Sequence, residues 1–82
     1  MATYPGQRRH VDDRGHLYLS PCSYGQDQDG MWNIRGPKGG SGILDGHTVV
    51  EHEDGTITVS PSLLIPGVWH GWLESGVFRD AS

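Results

Sequence analysis

Apolar and polar residues alternate most regularly over residues 47–60, HTVVEHEDGTITVS, where two β-branched runs flank Asp54-Gly55. A tight two-residue turn needs residues that tolerate positive φ, and Asp-Gly is a strong signal for one. With Glu53 paired to Thr56, His52 faces Ile57, Glu51 faces Thr58 and Val50 faces Val59. Alternation along a strand then predicts an apolar face of Val50, His52, Ile57 and Val59, with Glu51, Glu53, Thr56 and Thr58 on the other. A second hairpin follows. Residues 68–73 set Trp69 and Leu73 against His70 and Trp72, Glu74-Ser75-Gly76 turns the chain, and Val77-Phe78 pairs back. Between the hairpins, PSLLIP (61–66) reads as an apolar crossing at an edge or corner, because proline cannot donate to a ladder.

The pattern is weaker upstream. Residues 1–15 are polar, carry Pro5 and three arginines, and read as an N-terminal arm with little structure of its own. Residues 16–82 read as a single small β domain. Its first strand is HLYLS (16–20), with Leu17 and Leu19 on one face, followed by the turn-rich loop PCSYGQDQDG (21–30). Residues 31–34 are a short strand, RGPKGGSG (35–42) is a flexible connection, Ile43-Leu44 dips towards the core, and Asp45-Gly46 turns. No segment shows a sustained 3.6-residue period. The fold class is therefore all-β: a small antiparallel sheet or partly open barrel of about five or six short strands, ending in two hairpins.

Composition narrows the function classes. An 82-residue chain with 13 Gly and 5 Pro forms one domain rich in turns, near the lower limit for burying an adequate core unaided. The net charge of −4 arises in residues 39–78, which hold five acids and neither Lys nor Arg. Nucleic-acid binders display a basic stripe because phosphate neutralisation supplies much of their affinity, so no nucleic-acid partner is expected. Cys22 is the lone cysteine, which precludes an intramolecular disulfide and points to a reducing compartment or a virion. No signal-peptide pattern and no long apolar stretch occur, so neither secretion by a signal peptide nor membrane insertion is expected.

Several residue sets could carry chemistry. Cys22, His52 and His70 together could ligate zinc, which takes three or four N or S donors, yet no C-x-x-C or H-x-x-x-H pair accompanies them. A histidine on an apolar face ordinarily packs its ring and hydrogen-bonds a carbonyl, so no metal and no other cofactor is favoured. Ser60, Ser62, His52, His70, Asp54 and Cys22 include the residue types of a nucleophilic hydrolase, but no G-x-S-x-G elbow is present. So small a domain is also not expected to enclose a cleft of several hundred Å3, and no catalytic residues are assigned. The glycine-rich run 36–42 lacks the P-loop pattern, and Asp27-Gln28-Asp29-Gly30 lacks the acid that would complete a calcium loop. Trp69, Trp72 and Tyr24 form an aromatic group; Trp69 and Trp72 point to opposite faces of a regular strand, so one is core while the other is free for contact. Trp72, Trp69, Leu64 and Ile65 are the candidate interface for a protein partner, with self-association in view. Stacking of an exposed tryptophan on a glycan is the alternative use.

Residues 51–62, EHEDGTITVSPS, followed by Trp69-His70-Gly71-Trp72-Leu73 and Gly76, resemble small proteins of tailed bacteriophages and prophages. Those carry a related strand ending in P-S, then W-H-G and a final glycine turn. Related bacterial domains keep S-P-S and a later histidine and add cysteines that suggest a metal; this chain lacks those cysteines. The resemblance implies a non-enzymatic accessory protein, either a virion or assembly component or an inhibitor of a host process, located in the host cytoplasm or the virion.

Overall fold

One type of five-residue loop recurs four times and sets the chain path. In residues 12–16, 27–31, 36–40 and 52–56 the first N–H donates to the fifth carbonyl at 2.8–2.9 Å, and the fourth N–H donates to the first carbonyl at 2.9–3.0 Å. The fourth residue is always glycine, Gly15, Gly30, Gly39 or Gly55, with φ of 80°, 83°, 90° and 88°. This is the three-residue hairpin loop, a turn closed by a left-handed residue that only glycine adopts without strain. Aspartate reinforces it: Asp12 Oδ1 accepts from the amides of Arg14 and His16, and Asp27 Oδ1 from those of Asp29 and Met31.

The computed structural model describes residues 2–81, among which there are nine strands and no helix. The strands are β1 (Thr3–Pro5), β2 (Gln7–Arg9), β3 (Ser23–Gln26), β4 (Trp32–Arg35), β5 (Ser41–Ile43), β6 (Thr48–Glu51), β7 (Ile57–Ile65), β8 (Trp69–Glu74) and β9 (Val77–Asp80). They form a five-stranded sheet, β1-β9-β8-β7-β6, and a four-stranded sheet, β2-β3-β4-β5, that do not close into a barrel. The expected class is right; the expected strand count is too low, because residues 3–9 form two strands and β3 lies within residues 21–30, expected to be loop. Residues 3–9 are not a loose arm. They add one strand to each sheet, β1 antiparallel to β9 and β2 parallel to β3, with the sheet change at Gly6. Gly6 donates to the Gly76 carbonyl at 2.7 Å, and a β-carbon there would stand only 2.5 Å from that oxygen. The radius of gyration, 11.7 Å, equals the roughly 12 Å of a folded chain of this length with nothing trailing.

Parallel pairing of β2 and β3 requires a crossover of a dozen or so residues. Residues 10–22 provide it, which is why HLYLS is not a strand: it crosses the outer face of the four-stranded sheet, with Leu17 over Gly25.

The first predicted hairpin exists in a shifted register. Glu51 pairs with Ile57, Val50 with Thr58 and Val49 with Val59. The loop takes three residues, Glu53-Asp54-Gly55, and a one-residue slip turns a strand's side chains over. Val49 therefore packs on the core, while Val50, expected inside, is 51% exposed and His52 bonds Thr58 Oγ1 at 2.7 Å. PSLLIP is likewise strand, not crossing. It continues β7 past a register shift between Val59 and Leu63, the kind of irregularity where a strand proline is tolerated. The second hairpin turns at Ser75-Gly76, both at positive φ (47° and 79°), with Glu74 paired to Val77.

The core lies between the sheets. Tyr24, Ile34 and Leu44 meet Ile57, Val59, Leu63, Ile65, Trp69, Leu73 and Phe78. With no disulfide, each of these large side chains must stabilise by burial, about 1.5–3 kcal/mol apiece. Arg8 clamps one margin: its Nη1 donates to Glu51 Oε2 at 2.8 Å and to the Gly55 carbonyl at 2.9 Å, and its guanidinium lies 4.7 Å from the centre of the Trp32 ring.

The 52–56 loop carries a pH-dependent contact. Asp54 Oδ1 accepts from Thr56 Oγ1 at 2.6 Å and Thr56 N at 3.0 Å, which holds the carboxyl below the usual aspartate range. Because the folded value is the lower one, this contribution is complete above the ordinary aspartate range and disappears as pH falls through the depressed value. In an acid melting series, Asp54→Asn should lose less stability below that range than the wild type does. An equal loss in both would show that Asp54 is not responsible.

Candidate functional site

Register defines the outer face of the five-stranded sheet, since directly paired residues point the same way. Trp72 pairs with Arg79, Glu74 with Val77, and His70 with Leu64. Leu64 is 66% exposed and Val50 and Val77 also stand in solvent. Trp72 is half-buried beneath Arg79, whose guanidinium sits 4.5 Å from the ring centre and pairs with Glu74. The His70 ring lies 6.2 Å from Trp72 on the same strand. Glu74 and Arg79 on this face are thus paired within the chain, and Leu64, Val50 and Val77 stand exposed around them on a protein of charge −4.

The four candidate interface residues divide. Trp69 and Ile65 turn inward and are core, because each alternates with an outward neighbour; Leu64 and Trp72 remain on the surface. Trp69 is fixed by its Nε1–H, which donates to Asp80 Oδ1 at 2.7 Å, and by an edge-on contact with Phe78 at 5.9 Å. Its ring passes over Gly71, where a β-carbon would be 2.4 Å from Cζ2. The W-H-G sequence is therefore explained by packing: tryptophan inward, histidine outward, and a glycine beneath the indole.

Cys22, His52 and His70 are not assembled. Cys22 packs against the core beside β3, and its burial pushes the thiol pKa up, whereas His70 stands on the outer face of the other sheet and bonds Ser62 Oγ at 3.1 Å. Among the described residues no three His, Cys, Asp or Glu are grouped to hold a metal ion. Ser62 and His70 do meet, but Asp54 of the hydrolase-type set is engaged with Thr56 at the loop.

Compared with known protein families, curated proteins and solved structures, the chain has no match. No helix among the described residues is long and apolar enough to cross a membrane.

The most extended concavity is open to solvent on one side. An open trench of about 920 Å3 runs over the outer face of the four-stranded sheet, on the far side from Trp72 and Leu64. Tyr18, Asn33 and Arg35 line it, and none of them stands out in the sequence. Tyr18 looks like a strand residue within HLYLS, and the trench arises only because the β2–β3 crossover lies across the sheet. The one available signal was Tyr18 itself, a large aromatic between two leucines on the opposite side of the alternation.

Proposed function

We propose that the protein is a non-catalytic binding module acting through the outer face of the five-stranded sheet, and that its first partner is a second copy of itself. One observation carries this: Leu64, 66% exposed, pairs with His70 on the same outer face as Trp72, where Arg79 and Glu74 compensate each other. Two copies of an acidic chain repel least where neither presents an unpaired charge, and a small domain gains apolar burial by pairing. An isologous contact at such a face is self-complementary. The likeness of the EHEDGTITVSPS and WHGW segments to phage proteins supports an accessory role, as a virion component or an inhibitor of a host process.

Sedimentation velocity over a concentration series tests it. The wild type should shift from monomer towards dimer as concentration rises from micromolar to millimolar. Leu64→Glu, a change at a solvent-exposed position, should keep its circular dichroism and weaken association at least about tenfold. A wild type that stays monomeric throughout, or a Leu64→Glu chain that dimerises equally well, refutes the reading.

A further inference from the structure

The trench on the four-stranded sheet is built from three parts. Its floor follows from register: Asn33 pairs with Ile43 and Arg35 with Ser41, so these four side chains share the outer face while Ile34, between them, enters the core. Residues 15–19 of the crossover form its wall. Two ties hold wall to sheet. Arg35 Nη1, its side chain fixed by an Nε bond to the Gly39 carbonyl at 2.7 Å, donates to the Leu19 carbonyl at 3.0 Å, and Gln28 lies against Gly15, where a β-carbon would be 2.2 Å from Gln28 Oε1.

On the rim, Tyr18 is 69% exposed yet held in place. Its hydroxyl bonds His16 Nδ1 at 3.2 Å, and the two rings meet at 6.0 Å and 86°, a contact that steadies the phenol while most of it stays in solvent. A single exposed aromatic on a protein surface needs no explanation. An aromatic anchored beside a polar trench presents a stacking platform next to hydrogen-bonding groups. Asn33 uses its Nδ2 towards the Met31 carbonyl and Asp27 Oδ2, which leaves its amide oxygen as an acceptor. Asp29 adds an exposed carboxylate, Ser41 a hydroxyl that can donate or accept, and Arg35 the donors beyond its two carbonyl bonds.

Ligand classes can be separated on these groups. A phosphate or a nucleic acid requires excess positive charge, and here the single guanidinium is tied to two carbonyls and offset by Asp27 and Asp29. A purely apolar ligand requires enclosure, and the trench is open. A pyranose chain presents C–H faces that stack on an aromatic ring and hydroxyls that both donate and accept, which this set answers on both counts. We infer that the trench is a saccharide site that takes a short neutral pyranose chain with one ring on Tyr18. This site is separate from the self-association face.

Titration of the 15N-labelled protein with cellotetraose and, separately, chitotetraose tests it. The expected result is saturable shifts at the amides of Tyr18, Asn33 and Ser41, with roughly millimolar affinity, for one or both sugars. A response to chitotetraose alone also supports the site and adds recognition of the acetamido group. Tyr18→Ala should weaken binding at least about tenfold, Tyr18→Phe, which keeps the ring but loses the bond to His16, should weaken it less than Tyr18→Ala does, and Trp72→Ala, on the opposite face, should retain it. Absence of trench shifts with both sugars, or undiminished binding by Tyr18→Ala, overturns the inference.

Discussion

Gly71→Ala is expected to cost about 3 kcal/mol of stability, a large effect for the addition of one methyl group. The new β-carbon would lie 2.1 Å from the Arg79 carbonyl oxygen and 2.4 Å from Cζ2 of Trp69. The oxygen belongs to β9, beside β8, so relief requires the two strands to part. Moving the indole instead forfeits its bond to Asp80 and its contact with Phe78. Urea unfolding followed by tryptophan fluorescence should show a lower midpoint at unchanged slope. Gly42→Ala is the control, because a β-carbon there meets nothing within 4 Å and surface changes of this kind stay within about 0.5 kcal/mol. Equal midpoints for the two variants would remove the steric account of the W-H-G sequence.

Phe78→Ala should cost more still, about 3–5 kcal/mol. Phe78 is fully buried and touches an aromatic ring from each sheet, Tyr24 at 6.4 Å and Trp69 at 5.9 Å. An 82-residue domain has a total stability of roughly 4–12 kcal/mol, so this one truncation removes a large share of it. The near-UV circular dichroism of the variant should be weakened or lost, and the midpoint of any remaining transition should fall steeply. Phe78→Leu keeps most of the volume and should cost less than about 1.5 kcal/mol. Comparable losses for Leu and Ala would mean that the residue does not join the sheets through its ring.

What could be read from the sequence was the local pairing near the C-terminus. Trp69 and Leu73 inward against His70 and Trp72 outward is alternation alone, and the structure keeps it. The 47–60 hairpin was legible as a hairpin and illegible in register, because Asp54-Gly55 fits both a two-residue turn and the end of a three-residue loop. The choice between them moves Val50 from core to solvent. The other glycine loops were hidden by their composition: residues 36–40 look like a flexible tether, yet Gly36 and Gly39 close a hairpin between β4 and β5. Strands β1 and β2 had no signal of their own. TYP and QRR are three residues each, and their identity comes from partners more than a dozen positions away. The trench depends on that same pairing, since the β2–β3 crossover is its wall.

The sheet change at Gly6 bears on how the protein is made. Residues 3–9 leave the ribosome well before residues 77–80, so β1 has no ladder partner until Val77–Asp80 has emerged, and Tyr4 reaches Asp80 across 76 positions. The hairpins closed by Gly30, Gly39 and Gly55 can form while synthesis continues, whereas closing the longest chain separation comes late and slows folding. Until β1 pairs with it, β9 presents an unpaired edge. Residues 3–5 are thus synthesised long before they can be placed, and the domain is most open to intruding strands while β9 waits for β1.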